Sequence, residues 1–244
     1  MAGELWSALR HLEKATRPVD PRTRQALDER WNQLPSGAKT VKQKLGRHAV
    51  GCGGTHGVFP KCNLTRTPCY HSKDANKVRV DGAHTLSQVE AQMAYLQQRR
   101  GPRAHAQLIG DEVSLLDLDD HAAALLAMWA RGREPMSMTH GDFDAEYLKA
   151  LVLGADGSPR LPRVSFAATF DSLMRGRRGA PRPRTEAELN PFRASFVQMF
   201  TDLRRDHGVR SYLAHNMTVT PANLEQVAGV VTDVARMGYS MLSF

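Results

Sequence analysis

Cysteine is scarce and unevenly placed in this chain: Cys52, Cys62 and Cys69 fall in one short stretch, and the rest of the sequence holds none. An odd number of clustered thiols argues against a disulfide framework and for metal or redox chemistry. The sharpest local pattern is KCNLTRTPCYHS, Lys61–Ser72, which follows a short extended run, Gly57–Pro60. Thiolates in a loop after a strand are the usual holders of iron–sulfur clusters. On spacing alone, two cysteines without a ligand role remain the alternative. A zinc site from Cys62, Cys69 and His71 has poor spacing and matches no common finger. Cys52 lies on the far side of the extended run. Roughly seven extended residues at ~3.3 Å each would put ~20 Å between it and the loop, so it reads as a structural thiol.

The elements that must position this loop are legible as an alternation. Short apolar runs at 105–109, 135–139, 163–168, 211–215 and 239–244 read as strands, after the first at Gly57–Pro60. Amphipathic helices fall between them. Helix 85–98 carries a capping-box pair, Thr85 and Gln88, and an apolar face of Leu86, Val89, Met93 and Leu96. Helix 119–131 opens on Asp119 and Asp120 and turns Leu125, Leu126 and Trp129 inward. A short helix is expected around 143–152. Helix 190–207 carries Phe192, Phe196, Met199, Phe200 and Leu203, and helix 221–236 runs from Thr220 as N-cap to Gly238 as terminator. Alternating βα units force parallel strands with right-handed crossovers. Six units predict a partial (βα) barrel, with a doubly wound open sheet as the rival, and functional residues at the C-terminal strand ends. Residues 1–50 read as a helical appendage and basic connector, with Leu5, Leu9 and Leu12 on one helix and a second helix starting at Asp20-Pro21 and running to about Leu34. Residues 51–244 form the barrel.

The composition narrows the function classes. With 244 residues, 41% hydrophobic and 24% charged, the chain can bury a core and is neither disordered nor fibrous. No run of about 18 apolar residues is present, and the N-terminus lacks a secretory pattern. A cytoplasmic protein with no membrane partner is therefore expected. The net charge of +8 is a mild basic excess, concentrated in GRRGAPRPR, Gly176–Arg184. A nucleic-acid contact is one reading of that run. A solvated loop is preferred, because no aromatic residue interleaves the arginines to stack on bases.

The cysteine loop and the strand pattern together resemble the radical S-adenosylmethionine (radical SAM) enzymes. Their motif is C-x3-C-x2-C in the loop after the first strand of a six-unit partial barrel. Here Cys62, Arg66 and Cys69 occupy the three positions, within C-N-L-T-x-T-P-C-Y-H-S. The resemblance covers about Gly53 to Phe244. It implies a [4Fe–4S] cluster on three thiolates, S-adenosylmethionine chelated at the open iron, and one-electron cleavage to a 5′-deoxyadenosyl radical that abstracts hydrogen from a substrate. An electron donor would be a required partner, and Cys62 and Cys69 are the metal ligands it assigns.

Further residues are assigned through the same resemblance. Members carry Gly-Gly-Glu after the second strand, where backbone and carboxylate bind the methionine amino group; this chain has Gly110-Asp111-Glu112. Glu112 keeps a carboxylate suited to an ammonium, while Asp111 stands where a glycine is usual. His140 and Asp142 of THGDF, Thr169–Asp171, and Asn216 and Thr218 of HNMTVTP fall at later strand ends, with Asn216 and Thr218 as cofactor contacts. Turn and cap chemistry is the alternative reading of each. Arg66 has no lone pair for iron and stays protonated, so the chain is expected to hold a cluster poorly, and a cluster-free binding protein on the same barrel is the alternative function. The sequence also stops on the sixth strand, where many members continue into an accessory segment.

Overall fold

The structure is a computed structural model that describes residues 21–40, 53–55, 57–69, 73–100, 104–161 and 163–244. Leu5, Leu9, Leu12, Cys52 and His71 lie outside them. The chain divides into two compact units, Met1–Gly51 and Cys52–Phe244. In the first, α1 spans Pro21–Gln33, with proline at its first position, and a 3-10 turn follows at Ser36–Ala38.

The second unit holds, in chain order, β1 (Gly53–Gly54), β2 (Thr65–Arg66), α2 (Gly82–Arg100), β3 (Ala104–Leu108), α3 (Leu118–Ala130), β4 (Arg133–Thr139), α4 (Ala145–Val152), β5 (Arg163–Thr169), β6 (Met174–Arg175), α5 (Asn190–His207), β7 (Arg210–Asn216), α6 (Val227–Met237) and β8 (Met241–Ser243). Six strands pair in the order β1-β3-β4-β5-β7-β8, every pair parallel. Helices alternate with them, and the parallel sheet curls into a partial (βα) barrel. Strand alternation sorts the two faces. Val164, Phe166, Ala168 and Leu213 join the main core under the helices, whereas Met136, Ala167 and Ala214 form a separate small cluster with Met138 and Met241.

Several elements differ from the sequence reading. The first strand pairs at Gly53–Gly54 instead of Gly57–Pro60. Gly57 has φ +64° and turns the chain there, so Val58 and Phe59 leave the ladder although both are buried. The ladder is prolonged by Thr55, whose hydroxyl donates to the Ile109 carbonyl and accepts from the Ile109 N–H at 2.9 and 2.7 Å. Thr85 does not cap α2. That helix starts earlier, with the Asp81 carboxylate accepting from the His84 N–H, while the buried Thr85 hydroxyl donates to the Val58 carbonyl at 2.8 Å. On α3 the cap is Asp117, and the inward face is His121, Ala122, Ala124, Leu125 and Met128, leaving Leu126 exposed. The last helix begins at Val227 after a 3-10 turn; Thr220 caps only the preceding turn, accepting from the Ala222 N–H. Gly238 ends it as expected. A two-stranded antiparallel ladder, β2 with β6, has no counterpart in the sequence reading.

Candidate functional site

A cavity of about 410 Å³ opens at the C-terminal ends of the parallel strands, where a barrel of this kind places its ligands. That volume suits a small organic ligand. Its wall is contributed loop by loop: Cys62, Arg66 and Cys69 from the cysteine loop, Gly110 and Asp111 after β3, His140 after β4, Thr169 at the end of β5, Asn216 and Thr218 at and after β7. Met138, Met174, Met217, Ile109 and Leu64 supply its apolar surface. Six of the seven residues singled out as cofactor or metal contacts thus meet in one place: Cys62, Cys69, Gly110, Asp111, Asn216 and Thr218.

Glu112, the seventh, does not line this cavity. It is fully buried, and its carboxylate is satisfied from within the protein. Oε1 accepts from the Ser114 N–H at 3.0 Å and from the hydroxyls of Ser114 and Thr139 at 2.6 Å each. Oε2 accepts from the His140 N–H at 2.6 Å. Glu112 therefore ties the end of β3 to the end of β4. The acid that lines the cavity is Asp111, one residue earlier.

Gly110 is held against the segment leading to the cysteines. The Asp111 and Glu112 N–H groups donate to the carbonyls of Phe59 and Lys61, both at 2.8 Å. A Cβ at Gly110 would meet Phe59 Cβ at 2.9 Å and its carbonyl oxygen at 3.0 Å, so this approach needs glycine. Two further bonds fix the loop: the Cys62 N–H donates to Asn76 Oδ1 at 2.9 Å, and His140 Nε2 lies 2.7 Å from Asn63 Oδ1. His140 Nδ1 lies 3.1 Å from the Asp142 amide nitrogen and 3.2 Å from Glu112 Oε2, and burial holds the ring's pKa below the usual value.

The Cys62 thiol is half-buried, and burial pushes its pKa up to about 11. Cys69 is exposed. Between them Arg66 turns its guanidinium to Asp171, Nη1 to Oδ2 3.2 Å, while its Nε is buried without a hydrogen-bond partner. Asp171 is fully buried and also accepts from the N–H groups of Thr218 and Leu173 at 3.2 and 3.1 Å.

The cluster implied by the resemblance does not fit the described residues. Two of its three positions are cysteines and the third is a guanidinium already engaged with a carboxylate. Among the described residues no group of three His, Cys, Asp or Glu side chains could hold a metal ion.

Residues that sequence reasoning missed brace this end of the barrel. Arg177 lies in the arginine-rich run expected to be a solvated loop, yet it is buried. Its Nη2 donates to the His140 carbonyl at 2.7 Å and its guanidinium stacks 4.6 Å from the Phe170 ring. Arg178, Arg182 and Arg184 of the same run are exposed. Arg193, fully buried on α5, pairs with Glu186 at 2.7 Å and donates to the Phe170 carbonyl. Glu186 accepts in turn from the Ser172 N–H and from Asn223. A lone arginine inside the phenylalanine stripe of 192–203 was the available signal, since a charge on an apolar face requires a buried partner.

No family model and no curated protein matches the sequence. Among solved structures, one described as native anSMEcpe with bound AdoMet resembles the fold, with a TM-score of 0.47 and 13% identity over 78% of this chain and 49% of that one. The chain spans about half the length of that protein. Among the described residues no helix is long and apolar enough to cross a membrane.

Proposed function

We propose that this chain binds S-adenosylmethionine in the cavity at its C-terminal strand ends, as a protein of the radical SAM type. The observation that carries the reading is the convergence of Cys62, Cys69, Gly110, Asp111, Asn216 and Thr218 on that one cavity. Asp111 takes the role the sequence gives to Glu112: its carboxylate suits the ligand's ammonium. Asn216 and Thr218 offer polar contacts, and Met138, Met174 and Met217 offer polarisable surface for a flat ring. Reductive cleavage, which the resemblance implies, would require a third cluster ligand from beyond the described residues or from solution, together with an electron donor. A second reading, ligand binding on this barrel without a cluster, is favoured by the Arg66–Asp171 ion pair alone.

Calorimetry with S-adenosylmethionine, on protein as purified and after anaerobic reconstitution with iron and sulfide, tests both. Binding is expected in micromolar to millimolar range, and Asp111→Asn should weaken it roughly tenfold or more, the value of a charged hydrogen bond. Iron well below four per chain and slow 5′-deoxyadenosine formation are expected after reconstitution. No binding to either form sinks the reading. Near four irons per chain with steady turnover would overturn the assignment of Arg66 as a defect in the cluster site.

A further inference from the structure

The cysteine loop is anchored at its start and its middle by contacts that contain no metal. At its near end, the carbonyls of Phe59 and Lys61 bond to the residues after β3. At its middle, Thr65 and Arg66 pair antiparallel with Arg175 and Met174, and Arg66 reaches the fully buried Asp171 across 105 residues of sequence. Asp171 also accepts from the Thr218 N–H. One carboxylate therefore ties together the cysteine loop, the turn after β5 and the turn after β7, and residues of or beside each of these segments line the cavity. The Arg66 side chain is 17% exposed, so solvent screens this pair weakly.

We propose that Arg66 and Asp171 form a clasp that closes the cysteine loop over the cavity without a metal cluster, so that the cavity binds its ligand in iron-free protein. Arg66 is on this view a positioning residue. A guanidinium suits the place because it stays charged and can satisfy a carboxylate that the fold has already removed from water. The same geometry means that Arg66→Cys does more than supply a thiol. It takes the ion-pair partner from the buried Asp171 carboxylate and leaves it the N–H groups of Thr218 and Leu173, and breaking such a pair is more costly than never having it. The ligand half of this inference rests on the reading that the cavity takes S-adenosylmethionine; the clasp half does not.

The test uses chelator-treated protein of the full chain, in four forms: unmodified, Arg66→Cys, Asp171→Asn, and both together. Thermal unfolding, hydrogen exchange over residues 57–69 and S-adenosylmethionine calorimetry are read on each. Arg66→Cys should lower Tm by roughly 5–10 °C and release exchange protection in the loop. Adding Asp171→Asn should restore part of the lost Tm, because the charge that lost its ion-pair partner is gone, giving a clearly non-additive cycle. Unmodified protein should bind S-adenosylmethionine with no iron present, and Arg66→Cys should bind it at least tenfold more weakly. Additive effects, or unchanged Tm and loop exchange in Arg66→Cys, overturn the clasp. If the cycle is non-additive but no form binds S-adenosylmethionine, with or without iron, the clasp stands and the proposed function falls. If binding appears only after iron is restored, the metal-free closure is wrong and the function survives.

Discussion

Replacing Glu112 by glutamine probes whether its carboxylate serves the fold or a ligand. Four donors converge on the two oxygens: the N–H groups of Ser114 and His140 and the hydroxyls of Ser114 and Thr139. Glu112 is fully buried and the Thr139 and His140 donors are buried too, while Ser114 is partly exposed. Glutamine offers one oxygen and one NH2. With its oxygen toward Ser114 and Thr139, the NH2 confronts the His140 N–H; flipped, it confronts three donors. The better orientation still orphans one backbone donor, about 1–3 kcal/mol, and downgrades the remaining bonds from charged to neutral acceptors, about 1 kcal/mol each. A loss of about 4–6 kcal/mol follows, against a total stability of about 5–15 kcal/mol for a domain. In urea, with a slope of about 2–3 kcal/mol/M, the midpoint should fall by roughly 1.5–3 M without a change in slope. Tryptophan fluorescence and far-ultraviolet circular dichroism should report the same transition. A loss below about 1 kcal/mol would refute the geometry, and if ligand affinity collapsed while stability held, Glu112 would be the ammonium partner that the sequence suggests.

Acid should destabilise the barrel through its buried histidines. Burial pushes both His121 and His215 down to about 3, so they protonate only in the unfolded chain. Their contribution is complete above pH 6.5 and is lost as pH falls from there toward about 3, each losing about 2 kcal/mol between pH 7 and 5; urea titrations that are flat over that interval would contradict this. Gly110→Ala should lower stability by about 1–3 kcal/mol through overpacking against Phe59 and raise hydrogen exchange in the cysteine loop, and an unchanged exchange pattern would refute the contact. At pH 8, iodoacetamide should label the exposed Cys69 well before Cys62, whose thiol burial holds protonated; peptide mapping that finds equal labelling would show Cys62 to be ionised.

Much of the barrel was legible because it rests on local signals. The β3, β4, β5 and β7 strands coincide with short apolar runs bounded by glycine, proline or charge, and α5 has its expected ends at Asn190 and His207. The first strand was misplaced for a local reason too: Val58 and Phe59 are apolar and buried, but burial does not require a ladder, and Gly57 breaks the extension. What the sequence hides is orientation and long-range pairing. Asp111 and Glu112 are adjacent acids, and only the backbone bonds from 111 and 112 to Phe59 and Lys61 decide which one lines the cavity. Leu126 looked apolar enough to face inward, whereas the buried face of the helix includes the polar His121, bonded to Ser137 and Tyr147 at 2.9 and 2.8 Å. Arg66 and Asp171 carry no shared local signature, and nothing short of the folded chain brings them together.

These placements bear on how the mouth of the barrel is held open for a ligand. A loop carrying cluster thiolates could take its shape from the metal it binds, so that binding and local folding are one event. Here each tether of the loop is a protein contact: backbone bonds at Phe59 and Lys61, Asn76 at Cys62, His140 at Asn63, the short ladder at Thr65 and Arg66, and the ion pair to Asp171. Beside Cys62 the one fixed positive charge of the loop's middle position is already neutralised by Asp171. The energetics therefore favour a mouth that is organised before any metal arrives, in which the two cysteines line a preformed wall and the arginine between them supplies the anchor that a third thiolate cannot.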